Sequence, residues 1–147
     1  MNRTVLMFLT TILLSLVFLM GLAFESRPAK ADFGPIYIMS DGSVIGTTHI
    51  LSADNVTYTF DADISGFLVV KKSDITMDGY GYTLQEPGNG IGIDLSGMTN
   101  VTVHNVQVTA ALYGIFLNSS SNIIIRENNL TANGVGINLI DSFDNRI

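Results

Sequence analysis

The chain has 147 residues, no cysteine, and 13 acidic against 7 basic side chains, which gives a net charge of −6 at neutral pH. This length limits the fold to one modest domain, and the lack of cysteine excludes disulfides, thiol catalysis, Cys-based zinc sites and iron–sulfur clusters. After residue 31 the balance is more negative still, with 12 acidic and 4 basic side chains. So acidic a surface repels nucleic acid and anionic lipid, and neither is expected as a partner.

Residues 1–31 have the layout of a helical secretory signal peptide. One Arg precedes a nearly continuous apolar run over residues 5–24, and a polar stretch then ends at Ala-Lys-Ala, residues 29–31. This pattern of small residues predicts cleavage between Ala31 and Asp32. Because the apolar run is about 20 residues long, an uncleaved membrane anchor is the alternative, and it would be the only contact with a membrane. Either outcome predicts a secreted or cell-surface protein.

Residues 32–66 show no clear repeat and are predicted to form a β-rich N-terminal cap. Short strands are predicted at 36–38, 56–60 and 67–70, and turns at Asp41-Gly42 and Ser65-Gly66. No apolar spacing of 3.6 residues indicates an amphipathic helix. Such a cap would cover the first coil of a repeat, whose strand edge would otherwise be unpaired.

From residue 67 to residue 147 the chain repeats. The tetrapeptide Gly-Ile-x-Leu occurs three times with a constant 22-residue interval, beginning at Gly92, Gly114 and Gly136. A fixed period of this length is typical of a solenoid, in which each repeat packs only against its neighbours. Alternating apolar pairs, separated by corners rich in Asn, Gly and Ser, predict three short strands per coil. The coils are predicted at 74–95, where the spacing is irregular, and then at 99–120 and 121–142.

These strands predict an all-β fold, a parallel β-helix. The Ile and Leu of each tetrapeptide would stack in two inward columns, the Gly would turn the corner, and the x residue would face solvent. A leucine-rich repeat has a similar period, but it needs a helix or tight turn segment behind each strand, and residues 118–135 are rich in poor helix formers. Residues 144–147 match the opening of a further coil with one extra residue. They predict either an N-terminal fragment of a longer protein, with more coils, or a partner at an open C-terminal edge.

Several segments carry a resemblance to a known family. The Gly-Ile-x-Leu strand, the Ser120-Ser121-Asn122 corner and the run over 123–134 closely resemble right-handed parallel β-helix repeat proteins. The nearest type is the exported NosD-like group within the pectin-lyase-like fold. Segments 36–43 and 75–84 are similar to the entry segment of such proteins, particularly archaeal surface ones. The resemblance implies the fold over residues 36–147, whereas family members include polysaccharide-modifying enzymes, binding proteins and surface scaffolds.

The NosD-like resemblance also implies an association with copper. The candidate ligands are His49, His104, Met39, Met77 and Met98. Copper sites need closely convergent His or Met side chains, and no His-x-His or Met-rich motif brings these residues together. The sequence therefore predicts no metal site and no cofactor. A copper-related periplasmic protein stays open as an alternative.

Outward positions on successive coils are the candidate ligand-contacting residues. The 22-residue register places Asp94, Phe116 and Asn138 in one column and Tyr82, His104 and Arg126 in another. Because neighbouring strands lie about 4.8 Å apart, a carboxylate, an aromatic ring and an amide in one column could together contact a polysaccharide or a cell-surface glycan. Ordinary solvent exposure of a repeat would explain the same residues.

Catalysis within this chain is not expected. Glycoside hydrolysis needs two carboxylates about 5–10 Å apart, and the regular coils contain no outward pair of acids in one column. The sequence therefore predicts an exported, non-catalytic scaffold that contacts carbohydrate. The alternative is the N-terminal part of a polysaccharide lyase or glycoside hydrolase whose catalytic coils follow residue 147.

Four sequons are candidate glycosylation sites in an exported protein: Asn55, Asn100, Asn118 and Asn129. Asn100 is also expected to form hydrogen bonds between coils at a corner. An inward orientation of its side chain would prevent glycosylation there.

Overall fold

The computed structural model describes residues 34–86 and 88–147, which form fourteen β-strands. Within this part of the chain there is no helix long and apolar enough to cross a membrane. The predicted signal peptide, with its cleavage between Ala31 and Asp32, lies outside the described residues. The strands are β1 (Gly34–Ile38), β2 (Val44–Ile45), β3 (Ile50–Leu51), β4 (Thr57–Phe60), β5 (Ile64–Val70), β6 (Ile75–Asp78), β7 (Thr83–Gln85), β8 (Ile91–Asp94), β9 (Val101–His104), β10 (Gln107–Thr109), β11 (Tyr113–Asn118), β12 (Ile124–Arg126), β13 (Asn129–Thr131) and β14 (Val135–Ile140).

The strands form three parallel faces that wind as a β-helix. Face A contains β1, β5, β8, β11 and β14; face B contains β4, β6, β9 and β12; face C contains the start of β5, then β7, β10 and β13. From β4 onward the chain passes from face B through face C to face A and then begins the next coil. The predicted all-β solenoid with coils of about 22 residues is confirmed.

The core consists of inward side chains stacked in register. Face A aligns Leu68, Ile93, Ile115 and Ile137; face B aligns Tyr58, Met77, Val103 and Ile125; face C aligns Ile64, Leu84, Val108 and Leu130. Ile115 and Leu117 are fully buried, and Leu117 pairs with Leu139 of the next coil. The register thus confirms the predicted inward column of Ile93, Ile115 and Ile137 and the stacking of Leu117 on Leu139.

The glycines of the repeat do not turn corners, contrary to the prediction. Gly92 and Gly114 lie inside strands β8 and β11, and neither has a positive φ. A Cβ added at Gly92 would lie 2.6 Å from the carbonyl oxygen of Gly114, and one added at Gly114 would lie 2.6 Å from that of Gly136. Glycine is needed here because the backbone of the next coil approaches too closely for a side chain.

Single residues with left-handed backbone occupy the corners instead. Asn100 and Asn122 hold equivalent corners of neighbouring coils with φ of 55° and 54°, and Asn105 and Glu127 hold another pair with φ of 53° and 56°. Asn tolerates this conformation better than most residues. The Nδ2 of Asn100 donates to Oδ1 of Asp74 at 2.9 Å, which confirms its bond between coils. Asn100 is exposed, so its side chain does not have the inward orientation that would prevent glycosylation.

The N-terminal part is β-rich and pairs with the first coil. Strand β1 pairs in parallel with β5 and antiparallel with the two-residue β2, and β3 pairs antiparallel with β4. The predicted turn at Asp41-Gly42 is present, since the Gly42 N–H donates to the Met39 carbonyl. The turn predicted at Ser65-Gly66 is wrong, because both residues lie inside β5, whose alternating burial continues across the predicted cap boundary at residue 66.

Asparagine side chains join neighbouring coils at the corners. The Oδ1 of Asn128 accepts the Val106 N–H at 3.0 Å, and its Nδ2 donates to the Val103 carbonyl at 2.9 Å. Asn133 makes the equivalent pair of bonds, at 3.0 and 2.9 Å, one corner later. Each side chain thus provides an acceptor and a donor to backbone groups of the preceding coil, between the regular strand pairings.

The last coil is less covered than the one before it. Within the described residues, β13 and β14 each pair on one side only, and Leu139 is 40% exposed. Residues 144–147 do begin a further coil, since Arg146 forms a parallel bridge with Ile124. This bridge keeps the 22-residue offset of the regular coils, so the extra residue in the prediction is wrong.

Candidate functional site

Asp94, Phe116 and Asn138 lie side by side on the outer surface of face A. Phe116 pairs with Asp94 on one side and with Asn138 on the other, and all three side chains are half-buried. Val69 continues the column beyond Asp94, and Tyr37 continues it beyond Val69. An aromatic ring flanked by a carboxylate and an amide is therefore present, as the spacing predicts. Contact of this column with a ligand stays a prediction.

Tyr113 extends the aromatic surface beside this column. It lies on the same strand as Phe116, and the two ring centroids are 5.6 Å apart at an interplanar angle of 39°. Aromatic pairs at this separation attract each other beyond the effect of burial alone. Mutual packing therefore helps to fix the orientation of both rings.

A depression of about 390 Å³ opens next to Asp94, and we call it the Glu86 depression. It is lined by Phe67, Val69, Glu86, Asn89, Gly90, Ile91, Asp94, Leu112 and Tyr113. Glu86 is 8% exposed, and its Oε2 accepts the N–H groups of Gly88 and Gly90, each at 3.0 Å. Asp94 accepts the N–H and the O–H of Ser96 through Oδ1. Two carboxylates and an apolar, partly aromatic wall thus share one surface depression.

Glu86 was not identified from the sequence, because it falls in the irregular coil where the 22-residue spacing assigns no column. A usable signal does exist. Glu86 is followed by Pro-Gly-Asn-Gly, and turns of this composition can direct backbone N–H groups toward a nearby carboxylate. A carboxylate engaged in this way can be retained at a largely buried position.

The second predicted column is only partly present. His104 pairs with Arg126 on one side, as predicted, but with Asp78 on the other. Tyr82 lies in the corner before β7, so its placement beside His104 is wrong. The cause is the length of that coil, since the chain takes a longer path from Asp78 to His104 than from His104 to Arg126.

His104 is also not the solvent-facing residue that was predicted. It is 9% exposed, and its Nδ1 lies 2.9 Å from Nδ2 of Asn105 and 3.7 Å from Oδ1 of Asp78. Arg126 is exposed and pairs with the adjacent Glu127 at 2.7 Å. His104 is therefore engaged by its neighbours, and the exposed Arg126 pair contributes little to stability.

Apart from the Glu86 depression, a groove of about 560 Å³ opens at the corner between faces B and C. Its lining is polar apart from one valine and one glycine: Asp78, Tyr80, Gly81, Asn105, Val106, Gln107, Glu127 and Asn129. Tyr80 is 67% exposed, and Nε2 of Gln107 donates to the Gly81 carbonyl at 2.7 Å. An exposed phenol ring next to amides is a surface suited to hydrogen-bonding ligands.

Hydrogen bonds lower the pKa of two carboxyls in the N-terminal part. Asp54 accepts the N–H groups of Thr57 and Val56, and Asp41 accepts the N–H and O–H of Ser43. Both carboxyls are solvent-exposed, and each closes a local turn. Their shifted pKa values therefore reflect turn structure.

The sequon asparagines occupy different environments. Asn55, Asn100 and Asn129 are exposed, and Asn118 is half-buried at the end of β11. Glycosylation of any of them stays a prediction.

A family model described as periplasmic copper-binding protein (NosD) matches residues 35–147. No curated protein and no solved structure matches the chain. The matched segment comprises nearly all of the described β-helix.

The described residues do not fit a copper centre. His49 pairs with Asp61 at 2.9 Å, and His104 is engaged by Asn105 and Asp78. Met77 is buried in the face B core. Among residues 34–86 and 88–147, no group of three or more His, Cys, Asp or Glu side chains is placed to hold a metal ion. The convergent soft ligands that copper requires are not assembled in this part of the chain.

Proposed function

The chain belongs to the NosD family, and we propose that it is an exported β-helix scaffold whose face A contacts saccharides without catalysing a reaction on them. The family is described as periplasmic, which implies an exported location. The observation that carries the proposal is the outer column of Asp94, Phe116 and Asn138 with Tyr113 packed beside it.

The side chains of this column suit a sugar. The apolar C–H face of a sugar ring can rest on Phe116 or Tyr113, while Asp94 and Asn138 can bond to hydroxyl groups. Because strands in neighbouring coils lie about 4.8 Å apart, three adjacent positions cover about 10 Å, the length of roughly two sugar residues. Rigid strands rather than loops hold all these groups, which lowers the ordering cost of binding.

Two features argue against hydrolysis on this surface. The column neighbours of Asp94 are Val69 and Phe116, neither of which is an acid or a base. Glu86 shares the depression with Asp94, but its Oε2 already accepts two backbone N–H groups. A general acid must deliver a proton to the leaving group, and a carboxylate held by backbone donors in this way is poorly suited to do so.

Glycan-array screening of the purified protein, followed by calorimetric titration of each hit, tests the proposal. Phe116→Ala and Tyr113→Ala should each weaken binding about 2- to 10-fold, the value expected for loss of one stacking ring. Thr102→Ala is the matched control, since Thr102 is a half-buried residue of face B. Absence of binding to any glycan would refute the saccharide proposal, and release of shorter sugars would refute its non-catalytic part.

A further inference from the structure

We propose that the Glu86 depression recognises the ammonium group of an amino sugar. This inference rests on the proposed function and deepens it by naming the class of saccharide. Its starting point is a nearly buried carboxylate that has no cationic partner among residues 34–86 and 88–147. Glu86 is 8% exposed, yet the acids that lie within 4 Å of a basic side chain in the described residues are Asp61, Asp78 and Glu127.

Within the described residues, only one of the two Glu86 carboxylate oxygens accepts a hydrogen bond. Gly88 and Gly90 both donate to Oε2, whereas no donor in the described residues bonds to Oε1. A carboxylate withdrawn from water needs both hydrogen bonds and an opposite charge. An ammonium group at Oε1 would supply both at once.

Glycines keep the space around this oxygen open. A Cβ at Gly90 would lie 3.1 Å from Oε1, and one at Gly88 would lie 3.3 Å away. These separations are tighter than most side-chain contacts, so any larger residue at either position would crowd the carboxylate. The turn thus holds Oε2 with its N–H groups and leaves room beside Oε1.

The remaining lining favours a cationic sugar over a metal ion or a neutral sugar. Phe67 and Tyr113 supply aromatic rings, whose faces attract ammonium groups and stack on sugar C–H groups. Asp94 adds a second negative charge and also belongs to the outer column of face A. A metal ion would find a mostly apolar lining, and a neutral sugar would leave the charge of Glu86 unmatched.

Calorimetric titration with glucosamine oligomers and with N-acetylglucosamine oligomers of equal length tests the inference. The wild-type protein should bind the free-amine series about 10-fold or more tightly, because hydrogen bonds to a charged group are among the stronger polar contacts. Glu86→Gln keeps the shape but removes the charge, and the preference should fall to about 3-fold or less. Glu127→Gln, which removes an exposed carboxylate outside the depression, should retain the full preference.

The possible results separate this inference from the function on which it rests. Equal affinity of the wild-type protein for both series overturns the ammonium site and leaves saccharide binding intact. Binding of butylamine without binding of either oligomer overturns the saccharide component and the proposed function together. If Glu86→Gln does not fold, as shown by loss of its β-sheet circular dichroism, the wild-type protein is titrated at low and at high salt instead. A preference for glucosamine oligomers that does not decrease at high salt overturns the inference.

Discussion

Replacing Asn128 with Ala should lower the free energy of unfolding by about 2–3 kcal/mol. The substitution removes the acceptor of the Val106 N–H at 3.0 Å and a donor to the Val103 carbonyl at 2.9 Å. A buried polar group left without a partner costs about 1–3 kcal/mol. The N–H has one hydrogen and loses its partner outright, whereas the carbonyl oxygen has two acceptor sites. The cost therefore comes mainly from Val106, with a smaller share from Val103.

Urea unfolding followed by circular dichroism at fixed pH measures this change. Asn129 is the control, because it is the next residue, is exposed, and its side chain takes no part in this pair of bonds. Asn129→Ala should stay within about 0.5 kcal/mol of wild type, as is usual for an exposed substitution. An Asn128→Ala protein with the midpoint and slope of wild type would show that water replaces the side chain without penalty, and the role assigned to the corner asparagines would be refuted.

Two further predictions concern close packing and pH. In urea unfolding, Gly114→Ala should destabilise the protein by about 1–3 kcal/mol through overpacking. Gly136→Ala is the control, because its added Cβ meets nothing closer than 3.7 Å, and it should change stability by less than about 1 kcal/mol. Equal losses of stability in the two variants would contradict the backbone-contact explanation. Burial raises the pKa of Tyr58 above its ordinary value of 10.0. The stability that the neutral Tyr58 side chain contributes is therefore complete below pH 10.0 and is lost as the pH rises through the pKa of the folded state. Tyr58→Phe also loses the bond to the Gly42 carbonyl, worth about 1 kcal/mol, and should fall less steeply in thermal unfolding between pH 9 and 11 than wild type; parallel curves would contradict this assignment.

The repeat predicts the core well because burial imposes the same spacing on every regular coil. Ile93, Ile115 and Ile137 stack as their 22-residue interval requires. The role of the glycines could not be obtained this way, since a corner and a close backbone contact both favour glycine. The structure distinguishes the two, because Gly114 lies inside β11 without a positive φ and a Cβ added there would be 2.6 Å from a carbonyl oxygen of the next coil.

The candidate sites were harder to predict because they lie where the spacing is irregular. In the coil formed by β6, β7 and β8, four residues separate β6 from β7 and five separate β7 from β8. In the following coil the corresponding numbers are two and three. Each corner is therefore two residues longer. The first extension carries Tyr80, which lines the groove at the corner between faces B and C, and the second carries Glu86, which lines the Glu86 depression. A fixed 22-residue period therefore cannot predict the position of a residue that lies in a longer corner.

The common 22-residue offset of the regular coils has a consequence for how such a chain can change over time. Because strands, left-handed corners and asparagine bonds all recur at the same interval, duplication or loss of one whole coil would rejoin the chain with each strand on its own face. An insertion or deletion of one or two residues inside a strand would break this register, so such changes are expected at the corners. Duplication or loss of a whole coil would thus alter the length of the protein, while short insertions and deletions at the corners would change its surface and leave the core packing intact.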